Sequence, residues 1–206
     1  SGGAIFSQAG TLTIESSTLI GNQTTNSYSG GHGGAIFKYA GNISITDSTI
    51  DGNSTSGNFS RGGAIFSSSG SVTITNSDVT NNSTPGTIGH GGAIFNSSNL
   101  VTVVGSNVSG NSTSGDSAKG GAIYTYSTSG VTIVDSTLSG NSTSHALAPG
   151  GAIWSRGSVR VTGSTLTDNS TLNADGGAIY SLSTVVLTNS TLSDNEAASD
   201  SAGTRG

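Results

Sequence analysis

Apolar residues recur along this chain with a period of about 29 positions. A five-residue phrase, Gly-Gly-Ala-Ile-aromatic, begins at residues 2, 33, 62, 91, 120, 150 and 176. Successive copies therefore start 31, 29, 29, 29, 30 and 26 residues apart. A period in this range is typical of solenoid proteins, in which each repeat stacks on the next. We interpret residues 1–206 as a single repeat array.

Two further apolar stretches follow each Gly-Gly-Ala-Ile phrase. The first is a three-residue alternation such as Val101-Thr102-Val103, and this period-two pattern predicts a short, half-buried strand. In the same copy a Ser, an aliphatic residue and an Asn then follow at fixed spacing, as Ser106, Val108 and Asn111. Three short strands per repeat, joined by turns, predict an all-β fold: a right-handed parallel β-helix of seven coils.

Equivalent positions of successive coils are predicted to stack into columns. A column of Asn is one of them, and each side-chain amide can both donate to and accept from its neighbour. We therefore expect a hydrogen-bonded asparagine ladder, with a weaker one formed by Ser. The Asn column comprises Asn22, Asn53, Asn82, Asn111, Asn141, Asn169 and Asn195.

Composition and charge narrow the possible partners. The chain has 33 Gly, no Cys, 8% charged residues and a formal net charge of −5. Its six Lys and Arg residues are too few to neutralise a nucleic-acid backbone, so nucleic acid is not expected as a partner. Without Cys there are no disulfides or thiolate metal sites. No run of 18 apolar residues occurs, so no membrane span is expected within this segment.

The repeat phrases carry a family resemblance. The Gly-Gly-Ala-Ile tetrads, each followed by an apolar-x-x-Asn signature, resemble the repeats of chlamydial polymorphic outer membrane proteins and similar bacterial surface proteins. That family has Phe-x-x-Asn, whereas aliphatic residues such as Leu19 and Val108 stand here, which favours a relative from another lineage. The resemblance implies an extracellular β-helical stalk or passenger, often adhesive, with no catalytic residues to carry over.

An aromatic residue follows every Ile of the tetrads. Strand alternation places the two on opposite faces, and the invariance of Ile within the chain favours Ile facing inward. The outward aromatic column could then bind carbohydrate, which is the second function class; packing beneath the long loops is the alternative. The column comprises Phe6, Phe37, Phe66, Phe95, Tyr124, Trp154 and Tyr180.

The residue before Gly-Gly is basic in four consecutive copies. These residues are His32, Arg61, His90 and Lys119. Stacked at about 4.8 Å per coil, they would form a positive stripe able to hold an anionic polysaccharide or the carboxylates of a partner. Because they end loops of variable length, an accidental and solvated arrangement is the alternative.

A polysaccharide-cleaving enzyme is the third function class, and it would need carboxylates gathered on one face. Most acidic residues instead share columns with Gly and Asn, as Asp47 and Asp135 do, which indicates turns. Asp168 and Asp194 would stack in adjacent coils with Asp175 in the loop between them, which makes a weak candidate calcium site. We therefore expect a protein that is not an enzyme and holds no metal or cofactor.

These observations predict a non-enzymatic, extracellular structural or adhesive β-helix at the cell surface. Because the chain starts within a repeat, we expect a segment of a longer chain or a filament subunit. In the second case copies would stack end to end, joining Arg205-Gly206 to Ser1-Gly2 across parallel edges. Carbohydrate and a host surface are the other expected partners.

Overall fold

The computed structural model describes residues 2–25 and 30–198, which form seven stacked coils of a right-handed parallel β-helix. Each coil contributes one strand to each of four parallel sheets of seven strands. The fold is as predicted, but the expected three strands per coil are wrong because there are four. Within these two ranges no helix could cross a membrane. Ser1, Arg205 and Gly206 of the expected end-to-end junction lie outside the described residues.

The strands are short and are numbered along the chain. Coils one and two contain β1 (Ile5–Ser7), β2 (Leu12–Glu15), β3 (Thr18–Ile20), β4 (Gln23–Thr25), β5 (Ile36–Lys38), β6 (Ile43–Thr46), β7 (Thr49–Asp51) and β8 (Ser54–Ser56). Coils three and four contain β9 (Ile65–Ser67), β10 (Val72–Thr75), β11 (Asp78–Thr80), β12 (Ser83–Thr84), β13 (Ile94–Asn96), β14 (Val101–Val104), β15 (Asn107–Ser109) and β16 (Ser112–Thr113). Coils five and six contain β17 (Ile123–Thr125), β18 (Val131–Val134), β19 (Thr137–Ser139), β20 (Ser142–Thr143), β21 (Ile153–Ser155), β22 (Val159–Thr162), β23 (Thr165–Thr167) and β24 (Ser170–Leu172). Coil seven contains β25 (Ile179–Ser181), β26 (Val185–Thr188), β27 (Thr191–Ser193) and β28 (Glu196–Ala198).

We call the sheets A, B, C and D, after the first, second, third and fourth strand of each coil. Like residues pair with like: Ile94 of sheet A lies between Ile65 and Ile123 in adjacent strands. Ile94 is fully buried, as are Val101 and Val108 from sheets B and C. The Ile column therefore faces inward, as predicted. Each buried aliphatic side chain stabilises the fold by roughly 1.5–3 kcal/mol before conformational entropy is counted.

Sheet D consists of the strands that the sequence did not predict. Its inward column is Thr rather than an aliphatic residue, and Thr84 and Thr113 are almost fully buried. Their Oγ1 hydroxyls donate to the carbonyls of Gly91 and Ala118, each at 3.0 Å. A β-branched side chain fits a strand, and the hydrogen bond offsets the burial of its hydroxyl. Hydrophobic alternation cannot reveal such a strand.

The predicted asparagine ladder is present between sheets C and D. The backbone N–H and side-chain Nδ2 of Asn111 both donate to Asn141 Oδ1 at 3.0 Å, and Nδ2 also donates to the Val79 carbonyl at 2.9 Å. From Asn53 to Asn169, each amide oxygen thus accepts two bonds, and each amide nitrogen donates two. The ladder residues from Asn53 to Asn169 are fully buried. The Asn-x-Thr sequons that begin at these residues offer no exposed amide for glycosylation.

A second ladder, made of Ser, lies at the corner between sheets B and C. The Ser77 N–H donates to Ser106 Oγ at 3.0 Å, and this hydroxyl donates to the Val104 carbonyl at 2.7 Å. The residue before each Ser has left-handed backbone, with φ of 48° at Asp47 and 56° at Gly105. Asp, Asn and Gly tolerate this conformation, so the column that the sequence assigned to a turn does form the corner.

The two Gly residues that precede each strand of sheet A are needed for different reasons. Gly91 has a φ of 69°, which glycine adopts without steric cost. A Cβ atom on Gly92 would overlap the carbonyl oxygen of Gly121 in the following coil. The first Gly therefore permits the turn out of the loop, and the second permits close approach of neighbouring backbones.

Candidate functional site

The aromatic side chains lie on the outer face of sheet A, yet most are not exposed. Phe66, Phe95, Tyr124 and Trp154 are 6%, 3%, 6% and 5% exposed. The expected exposed aromatic column is therefore wrong in these four coils, where the packing alternative describes the structure. Phe37 and Tyr180 pack partly buried against the cluster, and Phe6 in the first coil is 59% exposed.

The aromatic rings stack face to face along the rod axis. The centroids of Phe66 and Phe95 are 5.2 Å apart with 7° between the ring planes, and those of Tyr124 and Trp154 are 4.4 Å apart with 6°. Each ring thus covers the face of its neighbour and leaves its edge toward the outer surface. A platform for a sugar ring needs a free aromatic face, which the inner rings of this column do not have.

The basic column covers these rings from the loop side. The guanidinium carbon of Arg61 lies 5.0 Å from the Phe95 centroid, and the His90 ring stacks on Tyr124 at 4.5 Å. In every pair a basic residue of one coil lies over the ring of the following coil. We call this arrangement the basic–aromatic ladder. Its pairs are His32 with Phe66, Arg61 with Phe95, His90 with Tyr124 and Lys119 with Trp154.

The basic residues are also held in register by their backbones. Parallel bridges join Arg61 to both His32 and His90. The aromatic and basic columns therefore form one structure, because each basic side chain packs on an aromatic face. The cation–π contacts of Arg61 and Lys119 contribute about 0.5–2 kcal/mol each, and most when they are partly desolvated.

Both histidines of the ladder are neutral near pH 7. Burial, reinforced by the Arg61 and Lys119 charges, lowers the pKa of His90 to about 4. His90 Nδ1 accepts a hydrogen bond from the Lys119 backbone N–H at 3.1 Å, which places the ring proton on Nε2. Burial and Arg61 likewise lower the pKa of His32 to about 4. The positive charge of the ladder therefore comes from Arg61 and Lys119.

Acidification is expected to destabilise the ladder. His90 takes a proton at its usual pKa of 6.5 when unfolded but only at about 4 when folded, so stability is lost as the pH falls from 6.5 toward 4. The loss from His90 at about pH 5 is roughly 2 kcal/mol. His90→Asn keeps an acceptor for the Lys119 N–H but cannot titrate, so it should remove this part of the pH dependence. Identical dependence in the two proteins, measured by urea unfolding, would contradict a neutral His90.

A groove of about 280 Å³ opens beside the ladder. Tyr126, at one side of it, is 52% exposed, and the guanidinium carbon of Arg156 lies 4.7 Å from its ring centroid. The repeat pattern does not mark Ser97, Tyr126 and Arg156, because the turn after sheet A varies in residue type from coil to coil. The groove is lined by Arg61, His90, Phe95, Ser97, Tyr124 and Tyr126.

The candidate calcium site is not assembled. Among residues 2–25 and 30–198 no group of three His, Asp or Glu side chains could hold a metal ion, so Asp168, Asp175 and Asp194 do not form one. Asp168 and Asp194 have left-handed backbone, with φ of 55° and 54°. They turn the chain between sheets C and D.

Residues 1–166 match the family model described as "Right handed beta helix region". The chain belongs to this right-handed β-helix family. Comparison with curated proteins found no match, and comparison with solved structures found none either. β-Helix proteins include both enzymes and non-enzymes, so membership establishes the fold and not the activity.

This β-helix also encloses a lysine that was not among the predicted site residues. Lys38 is fully buried at the end of β5, and its Nζ donates to Ser7 Oγ and to the Ala9 carbonyl, both at 2.9 Å. The equivalent residues of the next coils, such as Ser67 and Asn96, are buried and polar. Successive side chains of a strand point to opposite faces, so the residue after the outward Phe37 must point inward. This signal could have placed Lys38 inside.

Proposed function

We propose that this β-helix is a non-enzymatic structural rod of the cell surface, serving as a stalk or adhesive segment. The observation that carries the proposal is the use of the repeated polar residues. Amides of the asparagine ladder bond the next coil, as Asn82 does to Asn111 at 3.0 Å. The repeated Asn side chains are therefore committed to joining coils.

The basic–aromatic ladder supports the same role. It joins consecutive coils on the outer face of sheet A, while the asparagine ladder joins them from within. Two such series of contacts, running along the axis on different sides of the coil, favour the role of a structural rod. The resemblance to bacterial surface repeats adds the expectation of an extracellular position and of adhesion.

Surface exposure is the first measurement. An antibody raised against the purified chain should label intact cells of the source organism, while an antibody against a cytoplasmic enzyme labels them only after permeabilisation. A deletion strain should lose the label and attach less well to a host surface. Labelling that requires permeabilisation would refute the surface role.

End-to-end association is a second part of the proposal. An inter-copy rung would repeat the parallel pairing seen between internal coils, such as β13 with β17. Negative-stain images of the purified chain should then contain filaments that lengthen with concentration. Uniform short rods at every concentration would exclude self-stacking.

Catalysis is the third question. We expect no release of reducing ends from acidic or neutral polysaccharides incubated with the purified chain. A boiled sample gives the background. Release of reducing ends above that background, if it is lost in Asp135→Asn, would show that the protein is an enzyme.

A further inference from the structure

We propose that the groove beside the basic–aromatic ladder binds a carboxylate-bearing sugar ring, with Arg61 on the carboxylate and Tyr126 against the ring. The proposal adds a ligand to the rod and does not depend on where the rod is displayed. It differs from binding by the aromatic column, because the stacked rings supply the floor of the groove and not the platform.

Arg61 is positioned but not committed to a protein partner. Its guanidinium lies over Phe95, its Nε is buried without a hydrogen-bond partner, and no carboxylate pairs with it among the described residues. The contact with the Phe95 ring uses none of the guanidinium N–H donors. The paired N–H donors of a guanidinium match the two oxygens of a carboxylate.

The surroundings of the groove favour an anion. Three of the six Lys and Arg residues of this −5 chain, namely Arg61, Lys119 and Arg156, contact aromatic rings on this face. Burial raises the pKa of Tyr124 to about 12 against the opposing influence of Arg61 and Arg156. Its hydroxyl therefore stays protonated and can donate a hydrogen bond to the ligand.

Tyr126 supplies the platform that the stacked rings lack. Arg156, in the following coil, occupies one face of its ring. On the other side, in the preceding coil, the equivalent residue is Ser97, and its small side chain leaves the space that the groove fills. An exposed tyrosine face with hydroxyl groups nearby suits the apolar face of a sugar.

The size and position of the groove favour a single sugar over a peptide. At about 280 Å³ it lies just below the usual range for ligand sites. Both edges of β13 are already paired, with β9 and β17, so a peptide cannot add to the sheet here. One ring carrying one carboxylate matches the space and its polar groups.

Methyl β-D-glucuronide and methyl β-D-glucoside are the matched probes, because they differ in the carboxylate. Binding can be followed by calorimetry and by the fluorescence of Trp154, the single tryptophan, which stacks on Tyr124 at 4.4 Å. We expect a millimolar dissociation constant for the glucuronide and at least about tenfold weaker binding of the glucoside.

Substitutions locate the site. Arg61→Gln should weaken glucuronide binding at least about tenfold, and Arg61→Lys should restore part of it. Tyr126→Ala, at an exposed position, should weaken binding about fivefold without affecting the fold. Arg160→Gln makes the same charge change on the exposed face of sheet B and should have no effect. Circular dichroism checks that each variant is folded.

Four outcomes would overturn the proposal. Equal binding of the glucoside would show that the carboxylate does not contribute to binding. Equal binding of glutarate with no effect of Tyr126→Ala would indicate a bare carboxylate site, and tighter binding of a triglutamate peptide would indicate a protein partner. No binding of any probe at high millimolar concentration would mean no site. None of these results would affect the rod role, which surface labelling tests separately.

Discussion

Replacing Asn111 with aspartate is expected to destabilise the protein more than any other isosteric substitution. Asn111 Nδ2 donates to Asn141 Oδ1 and to the Val79 carbonyl, at 3.0 and 2.9 Å, in a fully buried site. Aspartate has no donor there, so its oxygen would face two acceptors and a buried charge would lack a partner. We expect the free energy of unfolding to fall by roughly 4 kcal/mol or more.

The matched control is Asn42→Asp. Asn42 is exposed, and its Oδ1 accepts a hydrogen bond from the Ser71 N–H at 3.0 Å, a role that a carboxylate oxygen can fill. This variant should unfold within about 0.5 kcal/mol of the wild type in a urea titration. Similar losses in the two variants would mean that the asparagine ladder does not hold the coils together.

Replacing Ile94 with asparagine is expected to have the next largest effect. Ile94 is fully buried between Ile65 and Ile123, and the substitution removes its aliphatic packing while burying an amide with no arranged partner. We expect a loss of roughly 4–5 kcal/mol. Because coils contact only their neighbours, the thermal transition should also broaden as the two halves unfold separately.

Two further variants serve as controls for Ile94→Asn. Ile94→Val removes one methylene and should cost only about 1 kcal/mol. Thr102→Asn places the same amide on the half-buried outer face of β14 and should change stability by less than about 1 kcal/mol. A melting curve of Ile94→Asn that matched the wild type would contradict the inward position of the Ile column.

The sequence predicted the coils because aliphatic residues mark three of the four sheets. The Ile94, Val101 and Val108 columns alternate with outward residues, so pattern alone placed them in strands that face the core. Sheet D was not predicted because its inward residues, such as Thr113, are polar. The Thr113 hydroxyl donates a hydrogen bond to the Ala118 carbonyl, which allows its burial. The same Ser-Thr pair reads in sequence as the start of a loop.

The candidate site was harder to predict because its contacts cross from one coil to the next. Arg61 packs on Phe95, which lies 34 residues further along the chain, and not on the aromatic residue of its own coil. Sequence columns show which residues stack with their equivalents but not this offset between unlike residues. Tyr126 and Ser97 lie in a variable turn, where the shape of the groove depends on a difference between coils.

The asparagine ladder gives this rod a chemical direction. At every step the amide nitrogen of one coil donates to the amide oxygen of the following coil, as from Asn53 to Asn82 at 3.0 Å. The buried amide dipoles therefore align head to tail, and any stretch of rod presents an acceptor at one end and donors at the other. A coil added in the opposite orientation would place donors opposite donors or acceptors opposite acceptors. Coils are therefore expected to stack in one orientation only, whether within a chain or between chains. A symmetric end-to-end dimer, which would join two identical ends, is disfavoured.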